Sequence, residues 1–375
     1  MKSVLHALPA FSAGTTRSLR SLHFGPAGGG VGKKKAYLQA SLHADEVPAM
    51  LVAQHLRRQL QALEEAGQLR GEIVLVPMAN PIGLAQDLQG TALGRFDLST
   101  GINFNRHYKS LTAALIPMLE TQLGADAAAN TLLIRRAALQ LLQAWEPATE
   151  TEALKQRLQC LAMDADIVLD LHCDNQAVLH LYTGTPLAAQ ATPLARYLGA
   201  QALLTSASSG DDPFDETVAR IWWELGAHFA GRFPVPQACF AATLELRGEA
   251  EVEHGLAARD ASALIEWLRH EGLVEGTAAP QPPALCAATP LEGVEPVTAP
   301  HSGLLVFLKA PGETVQAGET IAELLDPLSD QSTPLRASVS GTLFARVARR
   351  YATRGMRVAK IAGSQAYRSG KLLSL

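Results

Sequence analysis

Apolar and polar positions alternate over residues 35–42 (KAYLQASL), which predicts a β-strand. Over residues 47–63 the spacing changes. Val47, Met50, Leu51, Leu56, Leu60 and Leu63 fall on one stripe of a helix. Asp45 is placed to cap that helix. Pro48 sits in its first turn, where a missing N–H is tolerated. Residues 72–78 (EIVLVPM) predict a buried strand that ends at Asn80-Pro81. The Ala-, Leu- and Gln-rich stretch 111–163 predicts helix. Residues 166–171 (DIVLDL) and 240–246 (FAATLEL) predict two more buried strands, and a helix is expected near 256–270. Strands alternating with helices predict an α/β fold whose sheet is mostly parallel and flanked by helices.

The pattern changes after Gly272. Residues 276–300 hold six prolines and show neither period, so they read as a Pro-rich linker. Residues 301–375 carry short β-like runs at 304–308, 320–325, 341–347 and 356–361, separated by glycines. The expected organisation is therefore an α/β catalytic domain over 1–275, a linker over 276–300 and an all-β domain over 301–375. Gly28-Gly29-Gly30 reads as a loop.

Composition narrows the class. With 375 residues, 47% hydrophobic and 18% charged, the chain has enough apolar surface for a full core, which excludes intrinsic disorder. A net charge of −4 argues against a nucleic-acid partner, which needs a basic footprint. No run is long enough for a membrane span, so no membrane partner is expected. Four scattered cysteines and no CxxC pair fit a reducing compartment. His6 and Pro9 interrupt any signal-peptide core, so the cytoplasm is expected. No hydrophobic stripe stands apart from the expected core, which leaves a homo-oligomer open.

Three separate places carry candidate chemistry. His43 and Glu46 form an HxxE pair where the first strand meets its helix. Ligands gather at the carboxyl ends of strands in α/β sheets. The HxxE pair is weak by itself. His172, in Asp170-Leu171-His172-Cys173-Asp174, follows the strand DIVLDL. Asp170 lies on the same pleat face and can take the second N–H of His172, whereas Cys173 points the other way. Glu245 sits inside an otherwise apolar strand, where a carboxylate needs a partner or a task. An ion pair with Arg247 is the competing explanation. Two histidines and a glutamate would bind zinc and leave a position for water, with a further glutamate as general base.

At this point the chain resembles the succinylglutamate desuccinylase/aspartoacylase family of the zinc carboxypeptidase superfamily. The family's G-x-H-x-x-E is matched by Ser41–Glu46, with Ser41 in place of glycine. P-x-x-N-P-x-G is matched by Pro77–Gly83, and D-x-N-R-x-F by Asn103–Tyr108, with Asn103 in place of the acid. D-L-H is matched by Asp170–His172, and the glutamate strand by Thr243-Leu244-Glu245. The resemblance implies one zinc per chain on His43, Glu46 and His172. It implies Glu245 as the base that takes a proton from water and returns it to the leaving amine. Asn105 and Arg106 are implied as the clamp for a substrate carboxylate, which suits the planar fork of a guanidinium. The family also uses an upstream arginine to polarise the carbonyl under attack, and Arg95 is the nearest candidate.

The C-terminal segments Ala299–Gly303, Pro311–Val315 and Ala317–Glu319 resemble a biotinyl/lipoyl-type barrel-sandwich domain. The hairpin that carries the modified lysine in such carriers reads Asp326-Pro327-Leu328-Ser329-Asp330 here, without a lysine. This implies the fold without the carrier role, and a part in shaping the site entrance. The expected activity is zinc-dependent hydrolysis of the amide of an N-acyl amino acid or related small molecule, an N-acylated substrate bearing a carboxylate. A metallocarboxypeptidase for short peptides and an inactive metal-binding protein are the alternatives. In the polar loop Ser206–Pro213, Asp211 or Asp212 is a candidate contact for a basic substrate side chain.

Overall fold

Residues 1–26, 33–366 and 372 are described by the computed structural model. Gly28-Gly29-Gly30 lies outside them. A nine-stranded sheet organises the first 290 residues. From one edge its strands are Lys2–Ala7, Ser18–Phe24, Glu72–Val76, Lys35–Ala40, Ile167–Asp174, Phe240–Gly248, Leu179–Gly184, Ala202–Ser206 and Ala288–Pro290. The four strands from Glu72–Val76 to Phe240–Gly248 run parallel. Leu179–Gly184 is antiparallel to Phe240–Gly248, and the last three strands are parallel among themselves. The sheet is thus mixed and mostly parallel.

The central strands are apolar on both faces because two groups of helices flank the sheet. Pro48–Glu65, Ala188–Leu198 and His254–His270 pack together; Thr112–Leu119, Ala127–Ala144, Glu150–Ala162 and Phe214–His228 form the second group. The helix that opens at Pro48 buries Val52, Leu56 and Leu60, one stripe at four-residue spacing. Asp45 does not cap it. The chain first turns back on itself, with the Glu46 N–H on His43 O and the Val47 N–H on Asp45 O. The helix therefore starts two residues beyond the reach of that carboxylate. The long helical stretch is three helices. Asp126 caps the second through the Ala128 and Ala129 N–H groups, and Thr149 caps the third through Glu152 N–H.

The expected linker carries structure. Ala288–Pro290 adds an edge strand to the large sheet beside Ala202–Ser206, and Val294–Thr298 already belongs to the C-terminal β-sandwich. That sandwich has two antiparallel sheets around Leu305, Val315, Ile321, Leu324, Leu343 and Ile361. It is joined to the large domain by backbone pairing of Gln176 and Ala177 with Arg346 and Ala345. The hairpin after Thr320–Leu325 is present, and Leu328 at its tip is 96% exposed.

Candidate active site

The HxxE turn is built by several separate devices. Ser41 takes a left-handed φ of 58°, a conformation costly for any residue but glycine. Its hydroxyl donates to Glu46 O at 2.9 Å and holds the turn closed. Asn80 Nδ2 donates to Leu42 O at 2.8 Å, while its Oδ1 accepts the Gly83 N–H. Gly94 lies so close that a Cβ there would stand 2.2 Å from Asp45 N, and its carbonyl accepts the Ala44 N–H. The segment before Arg95 is therefore pressed onto the His43–Glu46 turn. This contact anchors Arg95, for which the sequence offered no motif.

The turn delivers His43 and Glu46 beside His172, at the carboxyl end of the neighbouring strand. All three are buried, and their ligand atoms lie within 4.8 Å of one another. Glu46 Oε1 is 2.8 Å from His43 Nδ1, and Glu46 Oε2 is 2.7 Å from His172 Nδ1. Each imidazole is held from behind through Nε2. That of His43 lies 2.8 Å from Asn103 Oδ1. That of His172 lies 3.0 Å from Asp170 Oδ2, off the axis of a good hydrogen bond. Gln39 Nε2 fixes Asp170 in turn. Two Nδ1 atoms and a carboxylate converge on one point, with His43 Nε2 engaged by Asn103 and His172 Nε2 facing Asp170, a donor set suited to zinc. Asn103, which stands where the family motif has an acid, orients His43 without adding charge.

The electrostatics of the cluster suit a cation. Burial opposes the charged forms, yet Asp170 and Glu46 hold the His172 pKa well above its ordinary value, and the two imidazoles hold Glu46 well below the usual carboxylate range. Arg95 Nη1 is 3.2 Å from Glu46 Oε1.

Glu245 is register-paired with His172 on the adjacent parallel strand. Burial, followed by the Glu46 charge, pushes its pKa up to about 8. Its Oε2 has no hydrogen-bond partner among the described residues. The competing ion pair is not made. A bulge between Glu245 and Gly248 and a left-handed Arg247 (φ 69°) turn that guanidinium away, onto Asp260 of the helix His254–His270.

Asn105 and Arg106 line the same cavity, of about 370 Å³. The Phe214 N–H donates to Asn105 Oδ1 at 2.9 Å, which fixes the amide orientation and leaves Nδ2 for a ligand. Lys155 Nζ donates to Arg106 O at 2.8 Å and braces this loop; its burial brings its pKa down to about 8. His107 is exposed and stays outside the cavity. Asp211 and Asp212 are also absent from the cavity lining; Asp212 pairs with Arg220. From this stretch of chain Asp215 and Glu216 reach the cavity instead; Asp215 lies one helical turn earlier than Ala219 on a shared face, with a pKa raised to about 7 by burial and Glu216.

Sequence reasoning also missed Lys360 and Arg357, which reach the cavity from the C-terminal sandwich. Lys360 pairs with Asp174, two residues beyond His172. The signal for Lys360 was a cation within the buried alternation Val358-Ala359-Lys360-Ile361.

Residues 32–270 match the succinylglutamate desuccinylase/aspartoacylase catalytic domain. The chain belongs to that family. A family protein of Shewanella amazonensis has a similar solved structure, with 26% identity, a TM-score of 0.85 and coverage of 96% of this chain and 98% of that one. A protein of the same description from Shewanella frigidimarina is 23% identical, with a TM-score of 0.84 and coverage of 96% and 97%. The product-bound ectoine utilization protein EutE of Ruegeria pomeroyi shares the fold at 16% identity, with a TM-score of 0.66 over 96% and 94% of the two chains. No curated protein matches the sequence. Among the described residues, no helix is long and apolar enough to cross a membrane.

Proposed function

We propose that this protein is a zinc-dependent amidohydrolase that removes the acyl group from an N-acyl amino acid. The observation that carries this reading is the pairing of Glu245 with His172 across adjacent strands. It sets a half-buried carboxylate of raised pKa beside a His–Glu–His cluster. His43, Glu46 and His172 would hold the zinc. When bound, the ion supplies positive charge that acidifies water and polarises a carbonyl.

The remaining steps belong to the chain's own groups. Glu245 accepts the proton of the attacking water and hands it to the departing amine. Arg95, 38% exposed and leaning on Glu46, donates to the oxygen on which negative charge develops. Arg106 and the Nδ2 group of Asn105 hold the substrate carboxylate and so fix the amide over the cluster.

A metal assay paired with amine release from N-acyl amino acids and from dipeptides tests the proposal. The expected result is one zinc per chain and faster release from the N-acyl amino acids. Zinc-loaded protein with no turnover on either class overturns it.

A further inference from the structure

The cavity has two ends of different chemistry. Around the His–Glu–His cluster it is charged, with Arg95, Arg106, Lys360, Asp174, Asp215 and Glu245 on its walls. Beyond Tyr182 and Thr243 it becomes apolar. Gly184, Leu204, Ala219, Trp223, Ala241 and Leu291 line this end, and none of them bears a charge; Glu216, which also lines the cavity, has its carboxylate held by Ser209 and Arg220.

The sheet and one helix shape the apolar end together. Leu204 is register-paired with Tyr182, and Ser206 with Gly184, so the floor continues from the charged end without a step. The Ser206 hydroxyl is engaged at the rim, on Ser208 O at 3.0 Å. Asp215, Ala219 and Trp223 follow at four-residue intervals along Phe214–His228, one face of the helix over roughly 12 Å. Gly184 is what admits the indole. A Cβ there would lie 2.7 Å from Trp223 Cη2 and 3.0 Å from Cζ3. Two small residues, Ala219 and Ala241, keep the space beside the indole open, and Trp223 closes it. Leu291 and Val294 supply the opposite wall, joined to Leu204 in the apolar seam between the catalytic sheet and the sandwich.

Resting on the deacylase reading, we infer that this chamber binds an apolar substituent of several carbons on the N-acyl amino acid. A second carboxylate would have to give up its water among these six uncharged residues, which is disfavoured. An apolar chain would displace water from apolar walls. The substituent is either the acyl chain or the amino-acid side chain, and two substrate series separate these sources.

In the first series, zinc-loaded protein is given acetyl-, butanoyl-, hexanoyl- and succinyl-alanine. In the second it is given acetyl-alanine, -leucine, -phenylalanine, -aspartate and -glutamate. The expected result is a kcat/KM that rises roughly fourfold per methylene along one series, with the acidic members poorest. Trp223→Ala shifts the optimum to longer chains, and Ala219→Leu shifts it to shorter ones. Flat series, or succinyl and acidic substrates leading, overturn the inference.

Tryptophan emission keeps the chamber testable apart from turnover. The probes are hexanoyl-alanine and succinyl-alanine, with Trp223→Phe isolating the Trp223 signal. If nothing is hydrolysed, the deacylase reading fails, yet tighter binding of hexanoyl-alanine through Trp223 still supports the chamber. Equal binding of the two, or no Trp223 response, overturns it.

Discussion

Glu245 and Arg247 stand two positions apart on one strand, yet the bulge between them sends their side chains to different partners. Arg247 goes to Asp260, and Glu245 is left facing the cavity beside His172. A regular strand would have set the two on one face and neutralised the carboxylate. The Glu245→Gln variant removes the proton acceptor while keeping size and shape. We expect zinc content near that of the parent and a kcat lower by about 10²–10⁴-fold. Metal analysis alongside a hydrolysis assay checks both halves, and near-parental turnover would remove Glu245 from the role of base.

Ser41 holds a glycine-like backbone through one hydrogen bond. Ser41→Ala keeps the strained φ and deprives Glu46 O of its donor, so a loss of about 1–2 kcal/mol is expected. Ser41→Gly relieves the strain as it loses the bond and should lie closer to the parent. Chemical denaturation of the two variants in parallel reads the difference. Equal loss in both would mean that the turn carries no strain at this position.

On the proposed zinc reading, uptake of the metal must displace a proton. The His172 pKa is raised well above its ordinary value by Asp170 and Glu46, against burial, so the metal-free imidazole is protonated near neutrality. Zinc requires it neutral. Below that raised pKa, apparent affinity should rise about tenfold for each pH unit, one proton being released. Calorimetry in buffers of different ionisation enthalpy counts that proton. Asp170→Asn should reduce the proton release.

His180 makes folding acid-sensitive. Burial lowers its pKa to about 4, and its ring packs against Tyr182 and Phe344. The unfolded chain takes up this proton near pH 6.5 and the folded chain only near 4. The stability from the neutral ring is therefore complete above about pH 6.5 and is lost as the pH falls towards 4. The contribution is on the order of 3 kcal/mol. Melting temperatures from pH 7 to 4.5 should fall more steeply in the parent than in His180→Phe.

The central strands, the helix at Pro48 and the β-runs of the C-terminal segment were legible because each repeats a simple period. Leu179–Gly184 and Ala202–Ser206 were not, because LHLYTG and ALLTS are too short for their patterns to separate strand from helix. Asp45 shows how a correct residue type fails as a cap when an extra turn intervenes. At the site, the HxxE pair, His172 and Glu245 could be read because local motifs hold them. Asp215, Trp223 and Lys360 could not, since only the packing of a helix and a sandwich onto the sheet brings them to the cavity. Arg95 falls between these cases: its residue type was visible, but Gly94, which presses it into place, acts through a contact some fifty residues away in the chain.

The cavity also has a history in time. Glu46 lies on one wall and Arg357 on another, more than three hundred positions later. At roughly 5–20 residues per second, synthesis separates them by roughly 15–60 s. For most of that interval His43, Glu46 and His172 have been joined to the chain and Lys360 has not. The wall that it carries is the last to be made, so the cavity is complete only once nearly the whole chain has been synthesised.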